Sequence, residues 1–150
     1  MAALTLSSKV LGEGGRPLIV LHGFLGMGDN WASHARTWAD MGFEVHLVDQ
    51  RNHGRSPHAA SHSYPEMVED VMAYAENHCA GRPIAWLGHS MGGHVATMYA
   101  GIRPERIKKL INLEGFGMPA TRPTQAPGRL GKWMDELKAL QRGEMDLKPY

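Results

Sequence analysis

The chain is short of cysteine, of charge imbalance and of long apolar runs, and each shortage removes a class of answer. Cys79 is the single cysteine, so no disulfide forms within the chain and a reducing cytoplasm is the expected compartment. Against 16 lysines and arginines stand 15 acidic residues, a formal charge of +1, which gives nucleic acid or an anionic membrane no electrostatic foothold. No apolar run approaches the length of a membrane span. The start, Met1-Ala2-Ala3-Leu4-Thr5-Leu6-Ser7-Ser8, has neither a basic n-region nor a long apolar core, so no secretory signal is expected. With 43% hydrophobic and 21% charged residues over 150 positions, the expectation is one ordinary soluble globular domain.

What is present alternates between short apolar runs and amphipathic stretches. Residues 4–10 read as a leading strand, and Gly12-Glu13-Gly14-Gly15 as a turn. Pro17–His22, Phe43–Asp49, Pro83–Gly88 and Ile107–Leu113 are apolar runs of the kind buried on both faces of a parallel sheet. Between them, a helix capped by Asp29 or Asn30 runs to about Met41, and another spans Tyr64 to about Cys79 with Pro65 in its first turn. A third, Met91 to about Ile102, stops before Pro104. Strands alternating with helices predict an α/β fold, a mostly parallel sheet with helices on both faces. Past Glu114 the chain is rich in Gly and Pro from Gly115 to Gly131, and Leu130–Arg142 then reads as a helix with Trp133, Met134, Leu137 and Leu140 on one side.

The chemistry is concentrated in Gly88-His89-Ser90-Met91-Gly92, which fits G-x-S-x-G between a strand and a helix. That pattern marks a nucleophile elbow. The serine is forced into a strained backbone conformation, and a Cβ in place of either glycine would clash across the turn. The Met91 N–H, at the start of the next helix, is placed to stabilise an oxyanion.

Four motifs in order then carry a resemblance to the α/β-hydrolase fold, over essentially the whole chain. His22-Gly23-Phe24-Leu25-Gly26 resembles the loop after that family's third strand, and Asp49-Gln50-Arg51-Asn52-His53-Gly54-Arg55-Ser56 its D-x-R-x-x-G-x-S loop. Gly88–Gly93 is the elbow, and Ile107–Glu114 resembles the sixth strand. The Arg-Asn-His-Gly variant is most similar to a subgroup of small esterases. The resemblance implies a serine hydrolase acting on a small-molecule carboxylic ester through an acyl-enzyme, without metal or cofactor. It implies Ser90 as nucleophile, Phe24 and Met91 as oxyanion donors that also line the substrate pocket, and Glu114 as the acid, in the subgroup's place at the end of the sixth strand. Haloalkane dehalogenases, which share that acid position, use an aspartate nucleophile where Ser90 stands.

The family's base histidine follows an eighth strand, so the resemblance implies an N-terminal portion: residues 1–116 as the start of the core and 117–150 as the start of a helical cap. The family strand order 1-2-4-3-5-6-7-8 then leaves the sixth strand as an apolar edge. His22 and His89 are expected to hydrogen-bond loops around the site, and Asp49 and Arg51 to brace theirs. His53, His58 and His62 share a loop but fit no zinc signature. The glycine-rich run Gly23–Gly28 lacks the Gly-Lys-Ser/Thr ending of a phosphate loop. Hydrolysis of an amide, lactone or C–C bond stays open as an alternative, as does a catalytically inert chain.

Overall fold

The computed structural model describes residues 2–116 and 123–145. The chain divides into two compact units, 1–117 and 118–150. The expected division at 116/117 touches residues 117–122, which lie outside the described ones.

The first unit is a five-stranded sheet flanked by three helices. In chain order it comprises β1 (Ser8–Leu11), β2 (Arg16–Leu21), α1 (Ala32–Asp40), β3 (Phe43–Val48), α2 (Tyr64–Cys79), β4 (Ile84–His89), α3 (Met91–Ile102) and β5 (Ile107–Leu113). The sheet order is β1-β3-β2-β4-β5, with β1 antiparallel to β3 and every other pairing parallel. This is the order expected from the resemblance, with β1 in the place of the family's second strand.

Period-two alternation explains the two cores. Leu18 and Val20 of β2 join Val45, Leu47, Leu87 and Ala35 of α1 on one face. Ile19 and Leu21 face the other way, among Val68 and Val71 of α2 and Val95 and Tyr99 of α3. Central parallel strands need aliphatic residues on both sides because helices cover both. The α/β expectation, with helices on both faces, is met.

Four details differ from the sequence reading. First, β5 is not buried on both faces as its apolar run suggested: it is the edge strand, as the family strand order implies, with Ile111 47% and Leu113 38% exposed. An apolar run reports what a strand can bury, while its neighbours decide what it does bury. Second, the leading strand pairs only from Ser8, although Leu6 is buried and Leu4 N–H donates to Asp70 Oδ1 at 2.7 Å. Third, Asp29 and Asn30 do not cap α1. They lie in a 3-10 turn, Gly28–Trp31, where Asn30 Oδ1 accepts from Met27 N–H at 2.8 Å. Fourth, α2 has a capping box beyond the expected Pro65: Ser63 Oγ accepts from Glu66 N–H, and Glu66 Oε2 accepts from Ser63 N–H at 3.2 Å.

In the second unit the helix α4 spans Ala126–Gln141, starting earlier than the expected Leu130, with a proline in its first turn. Leu130, Trp133, Met134 and Leu137 are about half exposed. Among the described residues no helix is long and apolar enough to cross a membrane.

Candidate active site

The topology prepares a crevice. From β2 the chain passes through α1 to β3 on one side, then through α2 to β4 on the other, so β2 and β4 flank the point where strand order reverses. Loops leaving the carboxyl ends of such strands diverge and open a site between them.

Ser90 alone separates β4 from α3, with φ 51° and ψ −114°. A non-glycine residue in that region is strained and must be held by its surroundings. Its N–H donates to Leu113 O at 2.8 Å, and its carbonyl accepts from His94 N–H at 3.1 Å. A Cβ on Gly88 would run into the Gly92 carbonyl oxygen, and one on Gly92 into Leu21 O. Both motif glycines are therefore required by close approach, α3 resting directly on the end of β2. Met91 opens α3, so its N–H is one of the first-turn donors with no acceptor in its own helix. Its side chain is only 8% exposed and belongs to the core that includes Trp86, Val95 and Tyr99.

The loop after β2 lies against the elbow: a Cβ on Gly23 would sit 2.9 Å from His89 Nδ1 and 3.5 Å from Ser90 Cβ. Two histidines brace this loop. His22 Nδ1–H donates to Gly23 O at 2.8 Å while its Nε2 accepts from Gln50 N–H at 3.0 Å. Gln50 Nε2 returns a bond to His22 O at 2.6 Å. These partners select the neutral tautomer, and burial pushes the His22 pKa down in the same direction. His53 repeats the pattern, Nδ1–H donating to Arg51 O at 2.8 Å and Nε2 accepting from Leu25 N–H at 3.1 Å. Leu25 takes φ 62°, so this bond holds a strained residue next to Phe24. Phe24 is 54% exposed, its ring edge-on to His53 with centroids 5.9 Å apart. With both ring nitrogens committed, His53 serves the loop.

Asp49 and Arg51 brace the loop after β3. Asp49 accepts from Gly28 N–H at 2.7 Å and Arg55 N–H at 2.9 Å. Arg51 makes a two-pronged contact with Asp70 at 2.7 and 3.1 Å and meets Glu66 at 3.2 Å. The Asp70 hydrogen bond holds the Arg51 pKa above its usual value despite burial.

Glu114 follows β5 with φ 60°. The Ser90–Leu113 hydrogen bond brings this strand end to the elbow. The Glu114 side chain is 81% exposed, and its Oε2 lies 3.8 Å from His89 Nε2. Asn112 fixes the turn beneath it: Oδ1 accepts from Gly115 N–H at 2.7 Å, while Nδ2 donates to Gly115 O at 3.0 Å and Thr97 Oγ1 at 2.9 Å. Asn112, the loop-bracing role of His53 and the pairing of His89 with Glu114 were not read from sequence. A lone amide inside an apolar strand was the available signal for the first.

The structure thus gathers the elbow, the loop of Phe24 and the strand end of Glu114 at the carboxyl ends of β2, β4 and β5. The chain is 41% identical over 102 residues to a probable alcohol acetyltransferase of Saccharomyces cerevisiae, covering 65% of this chain and 30% of that protein. It is 34% identical over 142 residues to an sn-1-specific diacylglycerol lipase of Mus musculus, covering 92% of this chain and 44% of that one. Among solved structures, a marine microorganism esterase superposes with a TM-score of 0.75 at 40% identity, covering 91% of this chain and 52% of that one. The chain therefore spans less than half the length of these two curated relatives. The model of the alpha/beta hydrolase fold matches residues 16–143. Elbow, strand order and that match together make the chain a member of the alpha/beta hydrolase fold family.

Proposed function

We propose that Ser90 is the nucleophile of a serine esterase that passes through an acyl-enzyme. The observation that carries the reading is the left-handed Ser90, set between the end of β4 and the first turn of α3. In this reading Ser90 Oγ attacks the carbonyl carbon of a small carboxylic ester. The Phe24 and Met91 N–H groups receive the developing oxyanion, one such donor contributing about 3–4 kcal/mol. Hydroxyls need an adjacent base to act at neutral pH. The base is the histidine that the family carries after its eighth strand, and Glu114 orients it and stabilises its imidazolium. That histidine takes the Ser90 proton and returns it to the leaving alcohol; water then releases the acid by the same route.

Phe24, half exposed in the loop whose Gly23 lies against the elbow, offers substrate an apolar wall. Met91 contributes chiefly through its backbone, since its side chain is buried. No step calls for a metal or an organic cofactor. The single buried thiol of Cys79 suits a reducing compartment such as the cytoplasm.

The test is hydrolysis of small aryl esters by the protein that includes the base histidine. Ser90→Ala is expected to lower kcat by at least about a thousandfold. Turnover at the parent rate would overturn the proposal.

A further inference from the structure

Strand β3 reads Phe-Glu-Val-His-Leu-Val, and its two polar residues alternate with Val45 and Leu47, which pack in the α1-side core. Glu44 and His46 thus face α2, which lays Tyr74 and Cys79 against them. Glu44 Oε1 is 2.8 Å from His46 Nε2, and Cys79 Sγ is 3.7 Å from the same nitrogen. The three ligand atoms fall within 4.8 Å of one another, and all three residues are buried. The other ring nitrogen, His46 Nδ1, is 2.7 Å from the Tyr74 hydroxyl, which donates to Ser8 Oγ at 2.7 Å. An imidazole that binds a metal characteristically gives its second N–H to an oxygen, fixing ring and tautomer. We propose that Glu44, His46 and Cys79 form a binding site for a thiophilic divalent cation of the zinc class, independent of the chemistry at Ser90.

Distance, charge and competition support the assignment. Ligands about 2.0–2.3 Å from a tetrahedral zinc lie roughly 3.3–3.6 Å apart. The spacings of 2.8 and 3.7 Å from His46 lie on either side of that range and the Glu44–Cys79 pair falls within 4.8 Å, so modest shifts of the carboxylate and thiol seat the ion. On binding, the Cys79 thiol proton leaves to solvent and the imidazole proton resides on Nδ1, donated to the Tyr74 oxygen. Thiolate and carboxylate then match the two positive charges, leaving a neutral buried unit. Gly14 N–H holds Glu44 Oε2 at 2.8 Å, which leaves Oε1 as the ligand. Arg82 Nη2 reaches Oε1 at 3.2 Å and donates to His78 O at 3.1 Å, and its side chain is 41% exposed, so both contacts can be exchanged for water. Arg82 and the cation therefore compete for one oxygen, and the space Arg82 vacates admits a water as fourth ligand.

Cobalt(II) is the probe, because Cys79 is the single cysteine and a thiolate-to-cobalt charge-transfer band can come from nowhere else. Titration is expected to give that near-ultraviolet band, saturating at one equivalent and erased by zinc. Cys79→Ser abolishes the band, Tyr74→Phe weakens binding about tenfold or more, and Arg82→Gln tightens it several-fold. Arg82→Gln alters a partly exposed side chain and decides the matter even if Cys79→Ser fails to fold. No thiolate band at saturating cobalt, or an affinity that Arg82→Gln leaves unchanged or lowers, overturns the proposal.

Discussion

Ser90 adopts a φ of 51° that ordinary side chains avoid, and its neighbours show how the chain sustains the strain. Gly92 is where tolerance is least, because a Cβ there meets the carbonyl of Leu21 in a central strand that cannot retreat. Gly92→Ala is expected to cost on the order of 3 kcal/mol. Gly101→Ala, in the same helix but with open space around it, is expected to stabilise by about 0.5–1 kcal/mol. Thermal unfolding of the two variants reads the contrast; equal losses would remove the close-approach explanation. Ser90, Gly88 and Gly92 were legible because one local pattern encodes them. The bond from Leu25 N–H to His53 was not, since it joins loops 28 residues apart and no local pattern specifies such a pairing.

Helix α2 owes its start to Ser63 and Glu66. Hydrogen bonds from Ser61 and Ser63, aided by Arg51, hold the Glu66 pKa at about 2, against an ordinary 4.5. A depressed carboxylate stabilises the fold fully above its unfolded value, and that contribution is lost as pH falls from about 4.5 toward 2. Ser63→Ala should cost about 1 kcal/mol near neutrality. It also removes a donor from Glu66, whose pKa then lies nearer 4.5, so less stability remains to be lost and the fall between pH 4.5 and 2 should be shallower than in the parent. Melting temperatures recorded through the acid range test both parts, and superimposable profiles would refute the second. The Ser-x-x-Glu pattern stands in the sequence, but only Pro65 was read there as the start of this helix. The starts of α1 and α4 were harder to place, because a 3-10 turn precedes α1 and Gly128 and Gly131 interrupt the pattern within α4.

For the whole molecule, strand–helix alternation was enough to reveal a parallel sheet, since interior strands covered by helices are mostly apolar, Glu44 and His46 of β3 being the buried polar exceptions. The position of β5 was legible only through the family's strand order, because its own residues read as buried. At the edge it presents Ile111 and, among the described residues, a side with no neighbouring strand, the kind of surface on which another chain can pair. The 150-residue chain is expected to self-associate with rising concentration, and Ile111→Lys to suppress this in sedimentation velocity. Unchanged association would locate the contact elsewhere.

The central claim, that Ser90 stands as a nucleophile at a preformed oxyanion site, meets its most direct test in covalent capture. The chain is incubated with an aryl fluorophosphonate, with imidazole in solution as surrogate base, and the adduct is located by mass spectrometry. The account expects one adduct per chain, on Ser90, and none in Ser90→Ala; no adduct in the parent, or the same adduct in the variant, would contradict it.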